Sequence, residues 1–395
     1  MTAGAAGASG LGRGRAALLA VAAGTSVANI YYAQPLLPTI GRDLGLAARD
    51  VGLVATVTQV GFGLGLFLFV PLGDALERRG LMLRLLGGAT VALGAAALAP
   101  GLPALLAASF AVGLTSVLPQ VAVPLAAHLA RPEERGRAVG AVMTGILVGI
   151  LLARTVAGIV GAHLGWRAVF LFAAGAMVLL AALLRALLPP SPPDERLAWG
   201  ELMRSLALLP AREPALLEAA LLGAAGMATF SAFWATLAFR LEAAPHHLGP
   251  EGAGLFGLFG VAGALAAGAA GRLADRRSPR DVGGVFLALS ALSWLPLLLL
   301  DGSLAGLAAG TVLLDLGVQG SHVSNLARVH AMAGPERSRR NTVYMVAYFA
   351  GGAVGTALGT LAFDRAGWPG VAAVGAGMPA AGFALWLAAR RRFSR

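Results

Sequence analysis

GRLADRRSPR, Gly271–Arg280, stands between two long apolar runs and returns in altered form as GDALERRGLM over Gly73–Met82. Two more echoes keep the same register: ERGR at Glu134–Arg137 answers ERSR at Glu336–Arg339, and Trp166 after Gly165 answers Trp368 after Gly367. Each pair lies roughly 200 residues apart, about half the chain and far beyond the ~20–50 residues of a solenoid repeat. The echoes fit a duplicated bundle.

Composition places that bundle in a bilayer. Of 395 residues, 57% are hydrophobic and 12% charged, where soluble domains carry roughly 25% charge. The chain has no cysteine, which excludes disulfides and thiolate metal sites and leaves the redox compartment unread. All thirty cationic residues are arginine, which reads as GC-rich coding. A net charge of +11 would suggest nucleic acid if the arginines formed one patch. They recur instead in short clusters between apolar runs, the pattern of loops held on the cytoplasmic side, and no nucleic-acid partner is expected.

At about 20 apolar residues per span, helices are predicted at 16–38, 51–72, 82–99, 103–127, 137–161 and 167–188, and again at 214–240, 251–270, 282–300, 304–327, 340–362 and 369–389. Arg13 and Arg15 before the first run resemble a signal peptide, but eleven further runs follow, so it reads as an uncleaved span. With both termini inside, the outer loops receive only Arg42, Arg49, Arg167, Arg240 and Arg365. The predicted fold is an all-α integral membrane protein of twelve transmembrane helices in two pseudo-symmetric six-helix bundles, 1–188 and 214–395. A polar linker, 189–213, without apolar period, joins them and is stiffened at its start by PPSPP. Gly61 and Gly65, Gly145 and Gly149, and Gly351, Gly355 and Gly359 recur every four residues and should let helices approach closely. GFGLG at Gly61–Gly65 is packing too, since no strand precedes it.

GxLADRxxxR in a short loop after the second helix of a six-helix half resembles the loop signature of the major facilitator superfamily. The doubled placement extends that resemblance over nearly the whole chain. Within the superfamily the chain is similar to bacterial efflux permeases of the drug:proton antiporter type. The resemblance implies a monomeric transporter in the bacterial inner membrane, its two bundles of 3+3 inverted repeats rocking around a midplane site. The proton gradient would supply the energy, with no cofactor, and lipids and a small-molecule substrate would be the partners.

A charge inside a span costs at least ~2.5–3.5 kcal/mol on insertion scales and so marks function or pairing. Asp315 is the carboxylate nearest the middle of a span, in DLGVQGSHVSN, and is the leading proton site. Gln319 and His322 share its helix face within ~40°, and Asn325 flanks the stripe. The same stripe could instead serve hydrogen bonding between helices. Arg154 is the second anomaly. Drug:proton antiporters carry a Gly-Pro pair and then Gly-Gly ahead of an outer Gly-Trp-Arg on the fifth helix. Counting back from Gly165, Trp166 and Arg167, those places hold Ala153 and Arg154, then Ala157 and Gly158. The antiporter signature is broken there. The family's packing would set Arg154 about a helical turn in height from Asp315, where an ion pair would offset part of both burial costs. A substrate that displaced this partner would drive a proton onto Asp315; alternatively the pair is static and orders the interface.

By the same resemblance the first, fourth, seventh and tenth helices line the cavity, which nominates Asn29, Tyr31, Tyr32, Gln34, Gln120, Phe230 and Trp234 beside Gln319 and Asn325. The tyrosines also suit an interfacial belt, and Phe230 and Trp234 suit a packed core. Gly73, Asp74, Glu77 and Arg78 in the first loop, and Gly271, Asp275, Arg276 and Arg280 in the second, would latch the cytoplasmic side. Leu81 and Met82 replace the family's basic pair, which weakens the first latch. His246 and His247 lack companion ligands, so no metal is expected, and no GxxxxGK[ST] loop for ATP occurs. The chain reads as a proton-coupled exporter of a small organic compound, not an enzyme. Its rivals are an importer or uniporter of a small, possibly anionic, metabolite and a membrane sensor that moves nothing.

Overall fold

The computed structural model describes residues 11–191, 199–261, 268, 271–273, 276–333 and 336–393. Among these, nine helices are long and apolar enough to cross a bilayer. They cover ten of the expected segments, because one of them, Arg337–Ala389, bends at Gly367, whose φ of 60° no α-helix holds. The other two segments, the first and eighth, are broken into shorter pieces.

The first segment is α1 (Arg13–Ala28), a string of turns, a 3-10 helix at Gln34–Leu36 and α2 (Leu37–Leu44). It was expected to end at Pro38 but continues to Leu44. Pro35 and Pro38 each sit in the first turn of a new helical piece, where a missing N–H leaves nothing unpaired. They start helices here instead of ending one. The chain then runs through α3 (Ala48–Phe69), the short α4 (Leu72–Ala75) and α5 (Arg78–Ala97). The fourth segment is parted at Ser116 and Val117 into α6 (Leu102–Thr115) and α7 (Leu118–Leu129). Next come α8 (Arg135–Leu164) and α9 (Trp166–Leu187), which turn on Gly165 at φ 81°. Gly165 and Gly367 therefore do the same backbone work in the two halves.

The linker was expected to lack periodic structure, yet Trp199–Arg212 forms α10, which buries Leu206 and Leu209. α10 lies on the helix that follows Arg337. The second half runs through α11 (Pro214–Glu242), α12 (Pro250–Leu255) with a 3-10 turn at Phe256–Gly260, α13 (Pro279–Leu292), α14 (Trp294–Leu299), α15 (Leu304–Ala331) and the bent α16 (Arg337–Phe393).

Packing repeats between the halves: α1 lies on α8 as α11 lies on α16. Small residues make both contacts. A Cβ on Gly149 would stand 2.6 Å from Gly24 Cα, and Cβ atoms on Gly351 and Gly355 would stand 2.6 Å from the Cα atoms of Ala224 and Ala228. No side chain fits, so the backbones touch, as the four-residue spacing predicted. Across the halves, α3 packs on α16 and α8 on α12. Large apolar side chains such as Val91, Phe172, Val285 and Leu299 stay exposed, as a lipid-facing surface requires.

Candidate functional site

Arg154 lies on the face of α8 turned toward the second half. Its entry is opened by Gly257, where a Cβ would come within 3.1 Å of Arg154 Cβ. The side chain is 3% exposed. Its Nε donates to Gln34 Oε1 at 2.8 Å, and the guanidinium lies 4.0 Å from the Trp234 ring centre, 4.8 Å from Tyr31 and 5.3 Å from Phe230. Cation–π attraction of up to ~2 kcal/mol in a dry site offsets part of the burial cost. Nη2 is buried and has no hydrogen-bond partner among the described residues.

Asp315, on α15, is 4% exposed and accepts from Trp234 Nε1 at 3.3 Å. One carboxyl oxygen, Oδ2, is pressed against Gly260, where a Cβ would lie 3.1 Å away. The expected contact between Arg154 and Asp315 is not made. The Trp234 indole stands between them, its face under the guanidinium and its N–H on the carboxyl. An aromatic ring with one donor satisfies both groups while keeping them apart.

Six of the nominated residues thus meet: Tyr31, Gln34, Arg154, Phe230, Trp234 and Asp315. Others turn away. Asn29 donates to Ser116 Oγ at 3.2 Å and to Met177 Sδ at 3.5 Å, inside its own half. Tyr32 lines a groove of about 420 Å³ between α1 and α8. Asn325 donates to Ser321 Oγ at 3.3 Å and faces Gly283 of α13. His322 bonds the Tyr344 hydroxyl at 3.0 Å and lies tilted against the Tyr348 ring, centroids 4.4 Å apart. Gln319 and Gln120 are half-buried on α15 and α7.

The loop residues hold their own halves. Glu77 caps α5, accepting from the amides of Arg79 at 2.9 Å and Gly80 at 2.6 Å, and it also receives Ser191 N–H at 2.8 Å. Partial burial pushes its carboxyl up, but the amides of Ser191, Gly80 and Arg79 with the Arg79 guanidinium outweigh that and hold it below the usual range. Arg78 donates to Gly73 O at 3.2 Å. Arg280 forks onto Glu218, Nη2 to Oε1 at 2.6 Å, and Arg328 grips the other carboxylate oxygen. Gly271 is half-buried and Arg276 exposed. Asp275 lies outside the described residues, as does the Asp74 side chain.

Polar contacts between the halves gather at the opposite end and toward the centre. Arg42 pairs with Glu242, and Arg49 with Asp364 at 3.7 Å. Thr155 donates to Gly254 O at 3.0 Å, Gln59 to Thr356 Oγ1 at 2.9 Å, and Ser231 to Gln59 Oε1 at 3.3 Å. The described molecule is closed there.

The family model of the Major Facilitator Superfamily matches residues 19–244 and again 219–395. The chain belongs to the major facilitator superfamily. Among curated relatives, the uncharacterized transporter YgaY of Escherichia coli O157:H7 is 39% identical over 369 residues, 93% of this chain and 94% of that one. The "Probable transporter SCO4007" of Streptomyces coelicolor is 39% identical over 362 residues, 90% of this chain and 83% of that one. A solved bacterial homologue of the human lysosomal transporter Spinster, inward-facing and unoccupied, superposes with a TM-score of 0.76 over 98% of this chain and 96% of that one, at 15% identity. That likeness concerns the fold.

The major facilitator chain also carries functional candidates that sequence reading passed over. Glu218 escaped because it stands near the end of a span, where charge is cheap. Gln59 is a lone amide beside GFGLG. Tyr344 and Tyr348 read as ordinary apolar packing. A signal existed for Gln59 alone, as a polar residue deep in an apolar run.

Proposed function

We propose that this membrane transporter is a proton-coupled secondary transporter of a small organic compound, working by alternating access in the bacterial inner membrane with both termini cytoplasmic. Residues 1–188 and 214–395 act as two bodies of one monomer, and the proton gradient is the energy source. The observation that carries this is the buried, unpaired charge centre of Arg154 and Asp315, bridged by Trp234 where the halves meet. Such a centre costs folding energy, and a change of partners during transport would account for keeping it. The contacts that close one end, Arg42 with Glu242 and Gln59 with Thr356, form the outer gate, and the described state faces inward. The loops at Glu77 and Arg280 would latch the inner side in the opposite state.

Direction follows from substrate charge. A cation would compete with the proton for Asp315, giving antiport and the export that likeness to drug:proton antiporters suggests. An anion on Arg154 would bind together with the proton, giving uptake. The unpartnered Nη2 of Arg154 favours this second reading.

The test is reconstitution in proteoliposomes with a trapped pH dye. Compounds that are carried should move protons across the bilayer, and Asp315→Asn should stop that movement. Proton-coupled flux surviving in both Asp315→Asn and Arg154→Gln would remove this centre from the coupling step.

A further inference from the structure

Arg154 is the one guanidinium of the centre, and its surroundings are half of a binding site. Nε is fixed by Gln34, and the plane is held by Trp234, Tyr31 and Phe230. Nη2, equally buried, points at no acceptor among the described residues. Asp315 does not fill that position, because its carboxyl is engaged by the indole N–H of Trp234. A held guanidinium with one free edge, ringed by aromatic carbon, matches a single carboxylate attached to an apolar body. A phosphate dianion would need further donors.

We infer that the substrate is a small monocarboxylic acid, bound as its anion on Arg154 Nη2 with its apolar part on the Tyr31 and Phe230 rings, and that it binds together with a proton on Asp315. The inference rests on the proton-coupled reading above and narrows it. Two carboxylates on either side of the Trp234 ring repel, and a proton on Asp315 relieves the repulsion. The titratable groups facing Asp315 are Arg154 from α8 and Tyr348 from α16, while Tyr31, in the turns after α1, faces Arg154 and Tyr348. His322, two turns along α15, is engaged by Tyr344. Gly260, from the 3-10 turn, brings no charge. Arg154 is the cation in that set, so it takes the acid and Asp315 takes the proton.

The experiment measures thermal unfolding of the full chain in detergent at pH 6, 7 and 8. Benzoate, phenylacetate and hexanoate are each compared with the corresponding amide and amine. The acids should raise Tm while amides and amines do not. Their apparent Kd should fall by up to about tenfold per pH unit toward pH 6, as one linked proton allows, although all three acids are ionised throughout. Arg154→Gln should abolish the effect. Gln34→Glu, which offers the guanidinium an internal carboxylate, should compete the acids out in a chain that still folds. Asp315→Asn should keep acid binding and lose its pH dependence.

The inference is overturned if no acid stabilises the protein, if the acids bind Gln34→Glu as they bind wild type, or if Asp315→Asn keeps the pH dependence. Amines that bind and release protons would remove the acid but leave proton coupling standing. If acids, amides and amines all leave Tm unchanged and none moves protons in vesicles, the proton-coupled reading fails as well.

Discussion

Glu218 offers the strongest energetic test of the described packing. It sits on α11 with its side chain 6% exposed, and the arginines that grip it, Arg280 and Arg328, are 17% and 15% exposed. In Glu218→Gln the shape is kept, but two guanidiniums from α13 and α15 face each other with no anion between them. Breaking a buried pair costs about 3–5 kcal/mol because it strands a charge. The slight exposure of both arginines lets water return, so the lower figure of about 3 kcal/mol applies. At about 2–4 °C per kcal/mol for a domain of this size, Tm in detergent should fall by about 6–12 °C. Arg42→Gln is the control: its pair with Glu242 is 58% and 32% exposed, and such pairs contribute at most about 1 kcal/mol. Arg280→Gln should lie between, since Glu218 would keep Arg328. If Glu218→Gln melts no lower than Arg42→Gln, the network does not hold these helices together.

Glu77 gives a pH dependence. Its carboxyl is held below its ordinary value of 4.5, so its contribution is complete above about pH 4.5 and disappears as pH falls through the lower folded value. A Tm profile of Glu77→Gln should therefore fall less steeply than wild type in acid and lie below it at neutral pH. Gly52→Val should wedge α3 from α16, because a Cβ there meets Thr360 Cβ at 2.6 Å. The chain has no native cysteine, so labelling of Ser231→Cys by an impermeant maleimide should quicken several-fold in that background; an unchanged rate would show that α3 and α16 do not close the site. Trp234→Phe keeps a ring under Arg154 and removes the N–H from Asp315. A hydrogen bond of 3.3 Å is at the weak end of the ~1.5–3 kcal/mol range for bonds to charged groups. Proton flux in vesicles should fall about tenfold with expression unchanged, and a full rate would detach the indole from coupling.

The two charges at the centre were legible because an apolar run makes any charge conspicuous. Their arrangement was not. Reading Arg154 and Asp315 as an ion pair treats attraction as the only term, whereas Trp234 solves both burial problems with one ring, and nothing in AFWA around Trp234 marks it apart from Phe233. Asn29 and Asn325 show the same limit: the period of a helix tells which residues share a face but not which way that face looks. Asn29 sits where α1 gives way to turns, so its direction is set by the break. The long apolar segments were visible in composition, yet Pro38 was taken for a helix end because proline at the first turn and proline after the last look alike without the backbone. α10 was missed because Leu206 and Leu209, its buried side chains among the described residues, make too short an apolar pattern to stand out.

The linker is tied at both ends. Ser191 is fastened to the first half through Glu77 and Arg78, while α10 is fastened to the second, Arg339 donating to Ser205 and Arg340 forking onto Glu213. α10 is thereby bound to the second half, and covalent geometry alone limits the distance between Ser191 and Trp199. Eight steps of chain reach at most about 27 Å. The length of the linker thus bounds how far its two anchors can part. Inserting residues between its two anchors should let that end open wider, and removing them should narrow it, without touching Arg154, Trp234 or Asp315.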